Sequence, residues 1–187
     1  MKLLYLDCGM GAAGDMLTAA LCELLPDPEA FVKEMNEIGL HGVEIRRETS
    51  EKCGIQGTHI SVLVHGAEED DHHHHHHSHL EDIHHDISRL HIPDSIKAKV
   101  AGVYRLIAEA ESKVHGVPVE EIHFHEVGTL DALADITAVC LLMERLQADK
   151  VVASPVHVGS GQVRCAHGIL PVRLNPYPRT FPMVSVP

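Results

Sequence analysis

The stretch from Glu68 to Asp86, EEDDHHHHHHSHLEDIHHD, offers almost no apolar side chains to bury. A segment of this composition cannot meet the entropy cost of ordering from its own contacts, so it reads as a solvated or disordered loop between two foldable parts. Its six consecutive histidines lie inside the 187-residue chain, not at an end. Imidazoles beside carboxylates bind nickel, copper, cobalt or zinc. His72, His73, His74, His75, His76, His77 and His79 are therefore candidate metal ligands. A flexible tract fixes neither ligand number nor geometry. It suits metal capture and buffering, with a plain polar linker as the alternative.

The flanking parts read as folded. The strand-like run Lys2–Asp7 leads through glycines into a helical stretch from Gly14 to Leu25, and a second helix follows over 28–39. Alternation at Val43 and Ile45, then at Ile60, Val62 and Val64, marks two half-exposed strands that pair as antiparallel neighbours. After the insertion, Ile96, Val100, Val103 and Ile107 carry helical spacing between Pro93 and Gly116. A strand over 121–128, a helix over 129–146 and a strand from Lys150 complete the pattern. The expected class is α/β (α+β), a mixed sheet with covering helices, ferredoxin-like in its first part. The expected division is a domain over 1–170 with its flexible histidine-rich loop at 68–86, then an irregular proline-rich tail over 171–187.

Composition narrows the partners. Fifteen basic against 27 acidic residues give a net charge of -12, and aromatic residues make up only 3%. A phosphate backbone is a poor partner for such a surface, and base-stacking platforms are scarce. The five cysteines, Cys8, Cys22, Cys53, Cys140 and Cys165, form no CxxC pair and read as reduced thiols. With no run of 18 apolar residues and no leader pattern, a cytoplasmic protein with neither nucleic-acid nor membrane partner is expected.

Three motifs carry chemistry. GMGAAG, Gly9 to Gly14, matches GxGxxG between a strand and a helix. The acidic residue expected after a second parallel strand is missing, so dinucleotide binding ranks below a tight strand-to-helix turn. Gly11, Gly14 and Asp15 are the candidate binding residues there, and Asp7 with Asp15 could hold a hard cation. In HFHEVGTLDALAD, His123 and His125 project to one face of a strand, and Glu126 follows. Asp131 and Asp135 share a face of the next helix, near its N-terminal turns. Together these residues could form the first and second shell of a divalent transition metal. Equally, Asp131 could start the helix, Asp135 could serve as a buried hydrogen-bond partner, and one histidine could belong to the core. SPVHVGSGQVRCAHGILP adds His157, Cys165 and His167 in a glycine-rich segment suited to metal or substrate contact. A Cys165–His167 nucleophile lacks an oxyanion-hole signature.

YLDCGMGAAGDM, HFHEVGTLDALADI and SPVHVGSGQVRCAHGILPV, in this order and with a histidine-rich insertion between the first two, resemble the N-terminal part of the LarC-type nickel insertase family. The resemblance spans roughly Met1 to Val172. It implies insertion of Ni(2+) into pyridinium-3,5-bisthiocarboxylic acid mononucleotide, giving the nickel-pincer cofactor of lactate racemase. Nickel in that product is held by two sulfurs and a ring carbon, so a base must accept the ring proton. Glu126 or His125 is the expected base, and His123, His125, Asp131 and Asp135 are the expected nickel contacts. Gly11, Gly14, Asp15, His157 and His167 are assigned to cofactor binding.

The resemblance also implies CTP with Mn(2+) or Mg(2+), bound by a C-terminal portion. After Val172 the chain diverges from the family pattern, so it reads as one half of a longer or two-part CTP-dependent cyclometallase of the lyase class. Alone it is expected to be inactive. Its expected partners are that C-terminal portion, the mononucleotide substrate and, downstream, lactate racemase apoprotein, with the chain as a homo-oligomer. The rival is a non-catalytic nickel storage or delivery protein that works through its histidine run.

Overall fold

A computed structural model describes residues 1–66, 78–124, 127–165 and 168–171. Strand β1 (Leu3–Leu6) leads through the glycine turn into α1 (Gly14–Cys22), and α2 (Pro28–Glu37) follows. Asp27 caps α2 by accepting the Ala30 N–H at 3.0 Å, and Pro28 fits the first turn, where no amide donor is needed. Strands β2 (Val43–Lys52) and β3 (Ile55–Val64) form an antiparallel hairpin with Val43 opposite Val64 and Lys52 opposite Ile55. Its two-residue turn, Cys53 and Gly54, has positive φ at both positions, 55° and 76°, as type I′ geometry requires. Asn36 of α2 clamps the hairpin, accepting the Ile45 N–H at 2.8 Å and donating to the Ile45 carbonyl at 2.9 Å.

Past the undescribed stretch lie β4 (Ser78–His79), α3 (Leu80–Arg89) and α4 (Asp94–His115). Gly116 ends α4 in a left-handed conformation and donates to the Ser112 carbonyl. A 3-10 turn (Val119–Glu121), β5 (His123–Phe124), α5 (Leu130–Leu146), β6 (Lys150–Ala153) and the hairpin β7 (Gln162–Cys165) with β8 (Gly168–Pro171) complete the order. Helix α5 is the hub, touching α1, the β2–β3 hairpin and α4, while α3 packs on α4. Leu133, Ala134, Thr137, Ala138 and Leu142 of α5 are all buried, which accounts for a helix apolar on more than one face.

The α/β class holds, with parallel and antiparallel pairing both present. Among the described residues the strands form four two-stranded sheets, β1–β6, β2–β3, β4–β5 and β7–β8. The ferredoxin-like expectation fails at β1, which pairs in parallel with β6 and leaves the hairpin to itself. One face of that parallel pair turns Leu4 and Leu6 toward the core, while Leu3, Tyr5 and Val151 stay exposed.

The loop expected over 68–86 also needs correction. From Ser78 onward the chain is a strand and then a helix, because Leu80, Ile83, Ile87 and Leu90 make an apolar helical stripe inside the histidine-rich string. Ile83 and Ile87 are 2% and 4% exposed, so α3 is a packed helix whatever its average composition suggests. Residues 67–77, with His72 to His77, lie outside the described residues, as do 172–187 of the tail. No described helix is long and apolar enough to cross a membrane.

Candidate functional site

The glycine turn is stitched to the segment after β6. The Cys8 carbonyl accepts both the Gly11 N–H and the His157 N–H, each at 3.0 Å. Ser154 ties the same place from the other side. Its N–H is donated to the Leu6 carbonyl at 2.9 Å, and its Oγ accepts the Cys8 N–H at 2.8 Å. Asp7 accepts the Gly9 N–H at 3.1 Å and so belongs to the turn itself. Gly11 has a φ of 109°, a conformation that favours glycine. Three of the expected binding residues, Gly11, Gly14 and Asp15, therefore stand on one turn and helix start, with His157 held against the turn.

His157 is oriented as well as placed. Its Nδ1 accepts the Gly159 N–H at 3.2 Å, so in the neutral ring the proton sits on Nε2. That nitrogen is then a donor, able to meet an anionic or carbonyl oxygen. Asp135 approaches the turn from α5. A β-carbon added at Gly14 would lie 2.5 Å from Asp135 Oδ2. The carboxylate thus occupies the space beside the start of α1, where the positive end of the helix favours negative charge.

Acidic residues of α3 and α5 also act on Tyr104. This residue of α4 is fully buried, and its ring meets Phe124 edge-on at 5.9 Å. Burial raises the Tyr104 phenol well above its ordinary value, and the negative charges of Asp131, Asp135 and Asp86 add to the effect. Asp131 and Asp135 are thus near one buried point, joined by Asp86 of α3. Thr129 caps α5 by accepting the Ala132 N–H at 3.4 Å, which puts Asp131 in the first turn.

His123 lies on β5 directly opposite His79 on β4, and the two imidazole centroids are 4.1 Å apart. His125 and Glu126, the expected base residues, and His167 lie outside the described residues. Cys165 ends β7. Among the described residues no cluster of three or more His, Cys, Asp or Glu side chains is placed to hold a metal ion. Sequence reasoning missed the His79–His123 pairing, Asp86 and Tyr104. Only long-range packing brings them together, and no spacing rule within one element could have found them.

The family described as "Nickel insertion protein" matches residues 4–186. The chain is similar to the pyridinium-3,5-bisthiocarboxylic acid mononucleotide nickel insertion protein of Clostridium kluyveri, 43% identical over 178 residues, covering 92% of this chain and 45% of the relative. The proteins of the same name from Desulfitobacterium hafniense and Geobacillus kaustophilus are 40% and 37% identical, covering 99% of this chain and 44% and 45% of their own lengths. The chain thus spans less than half the length of these relatives. No solved structure matches.

Proposed function

The chain belongs to the nickel insertion protein family, and we propose that it is the nickel-binding part of an insertase that delivers Ni(2+) to pyridinium-3,5-bisthiocarboxylic acid mononucleotide. The match to the family across residues 4–186 carries this reading. The product is the nickel-pincer cofactor destined for lactate racemase, and nickel is the cargo of the reaction. CTP with Mn(2+) or Mg(2+) acts through the C-terminal portion, so this chain supplies nickel and part of the substrate contact. The enzyme is a cyclometallase of the lyase class, located in the cytoplasm.

The reading divides the labour between two stretches of the chain. Around the glycine turn, Gly11, Gly14, Asp15 and His157 contact the mononucleotide, with His157 Nε2 as a donor, and His167, ten residues further along the chain, joins them. At the end of β5 and the start of α5, His123, His125, Asp131 and Asp135 contact nickel. As nickel bonds to the ring carbon, the C–H bond breaks and its proton passes to Glu126 or His125; the electron pair stays with carbon.

Incubating the chain with nickel, CTP, a divalent metal and the nickel-free mononucleotide, with and without the C-terminal portion of a relative, tests the reading. Nickel insertion is expected only with the C-terminal portion and is expected to vanish in the His123→Ala, His125→Ala double variant. Full activity in that variant overturns the assigned site. No insertion under any combination overturns the function.

A further inference from the structure

His79 and His123 are register partners on β4 and β5, both exposed, with ring centroids 4.1 Å apart. Their neighbours point inward. Phe124 is 1% exposed and meets the Tyr104 ring, and Leu80 packs on the core. The His79 N–H is donated to the Asp82 carboxylate at 2.9 Å. Two apolar anchors and one backbone tie therefore hold a pair of imidazoles side by side at the surface.

We infer that this cross-strand pair is a two-imidazole site for a divalent transition-metal ion. Metal–nitrogen bonds of about 2.0–2.1 Å let one ion join nitrogens up to roughly 4 Å apart, so rings at this separation reach a shared ion by rotation of their side chains. The strand ladder fixes the backbone separation of the two histidines. Two protein ligands leave at least half the positions of a four-coordinate ion open. Such a site exchanges its ion readily, whereas a closed four-ligand site retains it.

The place of the pair in the chain suits exchange. His79 stands two residues beyond His77, the last of the six consecutive histidines, and His123 stands eight before Asp131 of α5. The pair joins the end of the histidine tract to the strand and helix assigned to nickel chemistry. It is the point where an ion leaves the tract. The identity of the ion rests on the nickel-insertion reading; the binding itself does not.

The test uses the whole chain with His72 to His77 each replaced by serine, titrated with Ni(2+) alone by calorimetry. Either His79→Asn or His123→Asn is expected to weaken one nickel site at least tenfold, and the double variant is expected to be no weaker than the singles. Nickel affinity within twofold of the parent in either single variant overturns the proposal. Metal-free melting temperatures show whether the variants fold. Should they not, histidine labelled with nitrogen-15 in the tract-substituted chain gives the answer. Substoichiometric Ni(2+) is expected to broaden the His79 and His123 ring signals before those of His84, His85 and His115, and the reverse order overturns the pair. Insertion that fails while the pair binds removes the functional reading alone, and insertion that persists in His79→Asn without binding removes the pair alone.

Discussion

Gly14 and Asp135 share ground that has room for only one side chain: a β-carbon on residue 14 would stand 2.5 Å from Asp135 Oδ2 and 2.6 Å from Asp135 Cβ. Helix α1 can approach α5 at this point because residue 14 is glycine. The third glycine of GMGAAG is therefore explained by helix packing, whatever ligand the turn receives.

Gly14→Ala is expected to destabilise the chain by about 1–3 kcal/mol, the usual cost of overpacking, even though alanine favours helices. Asp135→Ala leaves the Cβ in place and should give little rescue. Asp135→Gly should rescue, less the roughly 1 kcal/mol that glycine costs inside a helix. Urea unfolding of the three single variants and of the two doubles that combine Gly14→Ala with each change at Asp135 checks this; additive effects of Gly14→Ala and Asp135→Gly would refute the contact.

Tyr104→Phe is expected to leave stability unchanged or raise it by up to about 1 kcal/mol. Among the described residues no hydrogen-bond partner reaches Tyr104 Oη, and a buried unpaired hydroxyl costs about 1–3 kcal/mol. The edge contact with Phe124 survives in the variant. A loss above about 1 kcal/mol in thermal unfolding would show that the hydroxyl has a partner.

Alkaline pH should weaken the fold. Burial pushes the Cys140 thiol from 9.0 up to about 11, against a smaller opposing effect of Lys99. Between these values the unfolded chain has lost a proton that the folded chain keeps. The contribution is therefore whole below pH 9.0 and is lost as pH climbs toward about 11, by at most about 1.4 kcal/mol per pH unit. Tyr104 acts in the same direction from its ordinary value of 10.0. Urea midpoints from pH 8 to 10.5 should fall more gently in Cys140→Ala; equal slopes would refute the assignment.

Much of this was legible in the sequence, for local reasons. The alternation at Ile60, Val62 and Val64 marks a strand of the hairpin, and Pro93 and Gly116 bound α4, because each signal acts within a few residues of itself. What escaped was set at a distance. The pairing of β1 with β6 and of His79 with His123 depends on contacts far apart in sequence, which periodicity does not encode. The helix at Leu80–Arg89 was hidden by composition: its two buried apolar residues, Ile83 and Ile87, are diluted by exposed histidines and acidic residues. The order and number of the motifs, in contrast, carried the family.

Replacing His72 to His77 by serine should remove most of the nickel bound per chain. Insertion at saturating nickel should persist. A storage protein would instead lose its capacity and have no activity to retain. Since imidazole ligands must be neutral, lowering the pH below about 6 should empty the tract in the unmodified chain. Metal analysis after dialysis reads both results.

The parallel register of Leu3 with Lys150 also sets a timetable. Among the described residues β1 pairs with β6 alone, so it must wait for Lys150–Ala153 to be made before it can pair. Loop closure of that length is slow relative to the hairpin of residues 43–64, which can zip from its own turn. A nascent chain halted before Lys150 would carry Leu3 and Tyr5 with no strand to lie against. The glycine turn is likewise completed only once the chain beyond β6 has been made, since the Cys8 carbonyl accepts the His157 N–H.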